Sequence, residues 1–432
     1  MTPQSVQTSE RFALGIDVGT SGVRAALLDP AGGPVGLSAA RMEDNGAEPR
    51  DPAVWERTLA AALAGLDPAA RKRVGAVSVD GTSGTVLGLD DRNAPLGTAL
   101  LYNDSVEDPR IAPAIAEVAP RTSAAHGPSS GLARAMTLST KARIRRIVHQ
   151  ADWVAGLLSA SPWKSDESNA LKTGYDPVER RWPDWLGSVI DPNLLPEVVA
   201  AGAATGRVTA DAAARYDLPQ GAVVVAGTTD GCASFLATGA ARPGEGVTAL
   251  GTTLTLKLLS DRPVFDPDCG IYSHRIGSLW LAGGASNSGG GALAAHFTAT
   301  EIATLCEQID PEQDSGLDYY PLPKPGERFP VADPTLPPRT EPRPGDAALF
   351  LKGLLEGIAR IEAAGYKRLG ELGAPPLTCL RSVGRGAGND IWSRIRRRIL
   401  SVETASAQSE EAAAGVARLA LKHISHTTAI GA

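Results

Sequence analysis

The sequence predicts an α/β protein of two domains, and three observations carry that expectation. Strand-like runs alternate with helical stretches through the first half, as they do where helices cover a sheet. A chain of 432 residues is long for one hydrophobic core and should divide into two. A strand-turn-strand pattern also occurs twice, at Gly15 to Asp29 ("GIDVGTSGVRAALLD") and at Thr248 to Asp261 ("TALGTTLTLKLLSD").

Taken in order, the apolar run Phe12 to Ile16 predicts a first strand, which stops at the small residues Gly19, Thr20 and Ser21. The run Val23 to Leu28 returns from that turn and ends at an aspartate. Apolar residues at helical spacing predict a helix over Pro52 to Leu66 and another over Ser139 to His149. Strands are expected at Val74 to Val79, Thr85 to Leu89 and Ala222 to Ala226, with a helix beginning near Gly231. The second hairpin turns at Gly251, Thr252 and Thr253. Proline is dense from Tyr320 to Asp346, which excludes a regular element and predicts a wrapped surface loop or linker. A long helix over Ala347 to Leu369, a strand near Thr378 to Val383 and helices near Asp390 to Leu400 and Ser409 to His423 complete the order. The expected division is 1–237 and 238–408, with the closing helix, about 409–432, free to pack back on the first domain.

Composition excludes several classes of function. With 43% hydrophobic and 21% charged residues the chain reads as globular, and a net charge of -6 with scattered basic residues argues against nucleic acid. The one basic cluster, Arg394, Arg396, Arg397 and Arg398, is expected to be a solvated helix face. No apolar run approaches the roughly 20 residues that span a bilayer, and the first residues lack the pattern of a signal peptide. A cytoplasmic protein that does not touch membranes is expected, as a monomer or homodimer. Its four cysteines, Cys232, Cys269, Cys306 and Cys379, are too dispersed for a zinc site and read as reduced core thiols.

The candidate chemistry lies in the turns and strand ends. A Gly-Thr-Ser or Gly-Thr-Thr turn offers backbone N–H groups and hydroxyls where no bulky side chain intrudes, which suits a phosphate, although such residues also make ordinary hairpins. Asp17 sits in the leading strand, where a charge is disfavoured unless something compensates it. Asp230 follows a strand and precedes a helix, so it either presents a carboxylate on rigid backbone or caps the helix. Gly289, Gly290 and Gly291 open a helix and offer either bare backbone to a nucleotide or a tight connection. The stretches "DGTSG" at Asp80 to Gly84 and "YNDS" at Tyr102 to Ser105 carry short polar side chains of the kind that recognise sugar hydroxyls or form turns.

Four ordered stretches, "GIDVGTSGVRAALLD", "VAGTTDGCASFLATG", "ALGTTLTLK" and "VGRGAGNDIW", resemble the FGGY carbohydrate kinases of the actin-like ATPase superfamily, over nearly the whole chain. "VSVDGTSGTVLGLD" and "YNDS" resemble its plant and cyanobacterial D-ribulose kinase branch. The resemblance implies two RNase H-like domains, each a mixed five-stranded sheet flanked by helices, with ATP and sugar in a cleft between them. It further implies Asp230 as general base, Asp17 at Mg²⁺ and at the sugar, and Ser83 and Asp104 at the sugar. Thr20, Ser21 and Gly22 from one hairpin and Gly251, Thr252 and Thr253 from the other would hold phosphate. Gly290, Gly386, Gly388 and Asn389 would contact the nucleotide, while Trp392 packs the core.

Two departures from the family pattern bear on the substrate. Gly81, Thr82, Ser83 and Gly84 stand where xylulose kinases show Gln-Met-His-Gly, which turns the expected acceptor from D-xylulose toward D-ribulose. The arginine of the family's "NDxR" is missing, with Glu107 beyond Val106 and Arg110 the nearest candidate. The expected activity is ATP-dependent transfer to the terminal hydroxyl of a ketopentose. Another pentulose or polyol (D-xylulose, L-ribulose or a tetritol) is the alternative within that class, and a non-catalytic nucleotide-dependent regulator the alternative outside it.

Overall fold

The computed structural model describes residues 10–161 and 163–427. The chain folds into two compact units, one built from the chain up to Ala237 together with the segment from Glu411 onward, the other from Thr238 to Glu410.

In the first unit a six-stranded sheet runs, edge to edge, Pro34–Arg41, Gly22–Leu28, Phe12–Val18, Val74–Gly81, Val223–Val225, Ala204–Arg207. Among the first three strands each runs antiparallel to its neighbour, the next two are parallel to Phe12–Val18, and the last is antiparallel. The second unit repeats the plan around Glu245–Leu250, which has antiparallel Leu254–Ser260 on one side and parallel Cys379–Val383 on the other. Leu279–Ser286 and Tyr272–Ile276 extend one side of this six-stranded sheet and Glu403–Thr404 the other. Each sheet therefore has one strand more than the expected five. The additions are the edge strands Ala204–Arg207 and Tyr272–Ile276, whose sequences ATGR and YSHRI lack the apolar run that marks a central strand.

Helices cover both faces of the first sheet. Pro52–Ala64, with Asp51 accepting the Ala53 N–H at 2.9 Å, packs Trp55, Leu59 and Leu63 into the core beneath the hairpin. On the other face the helix Ala412–Thr427 lays Ala413, Ala414, Ala417 and Ala420 against Ala13, Ala26, Ala76 and Val225. Small side chains on both partners let helix and sheet approach closely, and a Cβ on Gly15 would lie 1.9 Å from the Ala413 carbonyl. In the second unit the 25-residue helix Ala347–Glu371 is capped by Asp346 and buries Phe350, Leu351, Leu354, Leu355 and Ile358 under the sheet.

Two expectations are corrected. Ser139 to His149 is not a helix: Gly131–Ser139 ends there, and Arg146–His149 is a strand paired antiparallel with Val86–Leu89. Ile144, Ile147 and Val148 fit helical spacing, but cross-strand pairing with a distant segment decides their conformation. Nor is the arginine cluster a solvated face. On the helix Asp390–Leu400, Arg396 is 3% exposed and forms two bonds to Glu362, at 2.6 and 2.7 Å. Arg398 reaches Glu356 and the Pro311 carbonyl, while Arg394, paired with Glu312, and Arg397 are exposed.

The proline-rich stretch is irregular, as expected, yet firmly held. Glu327 accepts from Ser286 Oγ at 2.6 Å, Asn287 N at 2.7 Å and Tyr320 Oη at 3.1 Å, and Phe329 is fully buried. All four cysteines are free thiols.

Candidate active site

Three neighbouring parallel strands of the first unit end on one edge, where an open α/β sheet customarily binds its ligands. Asp17 and Asp80 stand directly opposite each other in the Phe12–Val18 and Val74–Gly81 pairing. Gly81 in turn bridges to Thr229, which brings Asp230 to the same edge.

Asp230 is the first residue of the helix Asp230–Ala237 rather than its cap. The leading amides, of Cys232 and Ala233, donate to the Thr229 carbonyl at 3.0 and 2.8 Å. Its carboxylate takes the Gly231 N–H at 2.7 Å and feels the nearby Ser83 N–H. Burial raises its pKa, and Asp17 adds to the rise; the two N–H groups and Lys172 work against it. The carboxylate is thus held in place, more basic than usual, with a face left over for a ligand.

Asp17 is almost fully buried and takes a long contact from Arg24 Nη1, 3.4 Å away. Asp80 is completely buried, with no hydrogen-bond partner for either oxygen among the described residues. Burial first, then the charges of Asp17, Asp230 and Asp166, push its pKa well above the ordinary 3.8. Burial and the neighbouring carboxylates therefore favour its neutral form in the folded state. That sets a sign: a raised folded pKa favours folding fully below about 3.8 and loses that contribution as pH rises through the folded value. Asp80→Asn, which supplies a neutral donor toward Asp17, is expected to melt higher than the parent in chelator. The gap should widen from pH 4 toward neutral; thermal melts at stepped pH check it, and a gap that narrows contradicts it.

Behind this edge Asp166, itself buried and pushed up to about 6, caps the short helix Glu167–Leu171. Asn169 joins it to the Thr228 carbonyl, with Nδ2 2.6 Å from Asp166 and 3.0 Å from Thr228. Sequence reasoning missed this support for the Asp230 turn, though Asp166 and Asn169 stand at capping spacing, three residues apart.

The remaining expected residues fall into groups. Thr20 and Ser21 are exposed at the first turn, closed by a bond from Gly19 N to Gly22 O at 3.0 Å. Ser83 Oγ, beside Asp230, has no partner among the described residues. Asp104, by contrast, is already engaged: its carboxylate takes the Leu101 N–H at 2.7 Å and both arms of Arg50. Arg110 is fully exposed and bound to Asp108, so it does not replace the missing arginine.

In the second unit Gly251 and Thr252 are exposed and Thr253 half-buried at the second turn. Gly290 and Gly291 donate their N–H groups to the Gly251 and Thr252 carbonyls, both at 2.9 Å, so here the glycine run is a tight connection beneath that turn. Asn389 caps the helix Asp390–Leu400 through the Trp392 N–H at 2.9 Å, and its Nδ2 lies 3.2 Å from Cys306 Sγ. The Trp392 ring packs in the core over Gly386, whereas Gly388 faces open space.

No family model matches the chain. The "Xylulose kinase" of Streptomyces coelicolor is 28% identical over 90% of this chain and 82% of its own length. The "Gluconokinase" of Bacillus subtilis is 21% identical over 93% of this chain and 85% of its own. The crystal structure of xylulose kinase from Rhodospirillum rubrum superposes with a TM-score of 0.80, at 24% identity, over 95% of this chain and 89% of that one. The fold is therefore that of the two-domain sugar kinases, an actin-like α/β architecture. Both named relatives are sugar kinases by name.

Among the described residues no group of three or more His, Cys, Asp or Glu side chains forms a ready metal cage, and no helix is long and apolar enough to cross a membrane.

Proposed function

We propose that the protein is an ATP-dependent sugar kinase that phosphorylates the terminal C5 hydroxyl of a ketopentose, D-ribulose foremost. The observation that carries this reading is the strand edge bearing Asp17, Asp80 and Asp230, with the Asp230 carboxylate buried there and held by the Gly231 N–H. A nucleotide-dependent regulator has no need of a basic carboxylate beside a free serine hydroxyl.

In this reading Asp230 accepts the proton of the C5 hydroxyl as its oxygen bonds to the γ-phosphorus, and the bond to the bridging oxygen breaks to leave ADP. Ser83 Oγ and Asp17 orient the sugar through its other hydroxyls. The turn at Thr20, Ser21 and Gly22 in the first unit offers donors suited to phosphate, and the turn at Gly251, Thr252 and Thr253 in the second offers the same kind of donors. Gly386, Gly388 and Asn389 border the nucleoside, with Gly290 supporting the second turn; Asn389 must then serve through the part of its amide left by its capping bond.

The residues present fit Mg²⁺. Asp17 and Asp80 are adjacent, buried carboxylates, the latter with no hydrogen-bond partner for either oxygen among the described residues, and a divalent cation would relieve their repulsion. Two carboxylates suit an ion that takes its remaining ligands from water and phosphate. Bound there, Mg²⁺ would offset phosphate charge.

D-Xylulose is a second reading, favoured by the names of the relatives from Streptomyces coelicolor and Rhodospirillum rubrum. The loop Gly81 to Gly84, without an imidazole, favours D-ribulose. ADP release measured over D-ribulose, D-xylulose, L-ribulose and a tetritol decides the matter. The expected result is sugar-dependent turnover with kcat/KM highest for D-ribulose, by about tenfold. Turnover indifferent to every sugar removes the kinase reading, and a higher kcat/KM for D-xylulose removes the ribulose assignment. ATP as co-substrate and four free thiols fit a cytoplasmic setting.

A further inference from the structure

The two polar stretches assigned above to the sugar, 80–84 and 102–105, are largely irregular backbone. Irregular backbone needs some other means of holding its shape, and one side chain meets much of that need. Arg134, on the helix Gly131–Ser139, is fully buried and reaches carbonyls of both stretches. Its Nε donates to Gly84 O at 2.9 Å; its Nη1 reaches Asp104 O at 2.8 Å, Ser129 O at 2.9 Å and Tyr102 O at 3.2 Å.

A guanidinium taken out of water normally lies against a carboxylate, because carbonyl dipoles compensate a full charge less well. Arg134 forms no ion pair among the described residues, and burial draws its pKa down to about 10, which still leaves it charged at neutral pH. Its Nη2 has no partner among the described residues and would lie 2.7 Å from a Cβ on Gly84, a residue at φ +90°. The backbone at Gly84 thus bends around the guanidinium in a conformation that side chains disfavour. An arrangement so unfavourable in itself gains its value from what it holds together.

Arg50 acts on the same loop from another element. It precedes the cap of Pro52–Ala64, is partly exposed, and grips both oxygens of Asp104, whose carboxylate also takes the Leu101 N–H. One arginine thus holds the carbonyls of the 102–104 loop and the other its carboxylate.

We propose that Arg134 and Arg50 are positioning residues for sugar recognition: together they fix the spacing between the Ser83–Gly84 turn and the Tyr102–Asp104 loop, in place of an arginine within the loop itself. The inference rests on the sugar site assigned above, and the experiment separates the two. Arg134→Lys keeps the charge but cannot span the carbonyls, and Arg50→Gln leaves Asp104 without its bidentate partner. Steady-state kinetics with D-ribulose should show the sugar KM raised about tenfold for Arg134→Lys and about fivefold for Arg50→Gln, with kcat and the ATP KM within about threefold of the parent. Hydrogen exchange should quicken at 82–86 and 101–105 only. An unchanged sugar KM in both variants overturns the proposal, and so does an equal rise in the ATP KM with exchange quickened across the whole unit. Should Arg134→Lys not fold, Arg50→Gln decides alone. Should the parent phosphorylate no sugar, the kinase reading fails while exchange still decides: quickening confined to the two loops supports the positioning role, and unaltered exchange refutes it.

Discussion

Asp230→Ala is expected to lower kcat by about 10²- to 10⁴-fold while ATP binds within about threefold of the parent affinity. The carboxylate is the proton acceptor in the proposed reaction, and nothing else at that strand edge is both fixed and basic. Burial favours the neutral form of Asp80, and in the proposed reaction Asp17 is taken up by the sugar and the cation. The side chain of Asp230 holds one first-turn amide, that of Gly231, while the Cys232 and Ala233 amides bond to the Thr229 carbonyl, so its removal leaves most of the start of the helix Asp230–Ala237 in place. The pH profile sharpens the test. Burial holds the Asp230 pKa above the ordinary 3.8, so the acid limb of kcat/KM should sit higher than a solvent-exposed carboxylate would place it. Activity rises through that limb as the carboxylate ionises, and the limb should vanish in Asp230→Ala. A variant retaining most of the parent activity, or keeping the same limb, removes Asp230 from the role.

Arg396→Met is expected to destabilise the second unit by about 3–5 kcal/mol, because it strands Glu362 in the core. Glu362 has no exposure; besides Arg396, the Thr248 hydroxyl donates to it at 2.5 Å, and Tyr366 Oη lies 2.9 Å from that hydroxyl. Arg396 also reaches Ser382 Oγ at 2.7 Å, so the pair joins two helices to the paired central strands Glu245–Leu250 and Cys379–Val383. For a unit of this size the loss corresponds to a fall in melting temperature of roughly 10 °C. Removing both charges, with Glu362→Leu added, should recover much of the loss, since most of the cost is that of one unpaired buried ion. Calorimetry of parent, single and double variants checks it. A single variant that melts with the parent contradicts the assigned burial.

These two residues were unequally legible in the sequence. Asp230 announces itself, since a carboxylate between an apolar β run and a helix start has few structural reasons to be there. Arg396 does not, because four arginines within five positions look like a solvated stripe until their carboxylate partners, 34 to 82 residues distant in sequence for Glu362, Glu356 and Glu312, are folded against them. The same distance explains the misread segment Ser139 to His149, whose last four residues take their conformation from Val86–Leu89.

The sequence by itself determined the α/β class, the repeated hairpin with its turns at Gly19 and Gly251, the long helix after the prolines, and the positions of Asp17 and Asp230 as candidates. All of these depend on local periodicity, turn chemistry or a residue out of place on its own strand. Tertiary structure alone decided that Asp80 faces Asp17 in register, that Arg50 and Arg134 close on the 102–104 loop, and that Gly290 donates to Gly251. The physical reason is range: hydrogen bonds and charge pairs act over a few ångströms, and which distant residues come within that reach is set by how strands and helices stack.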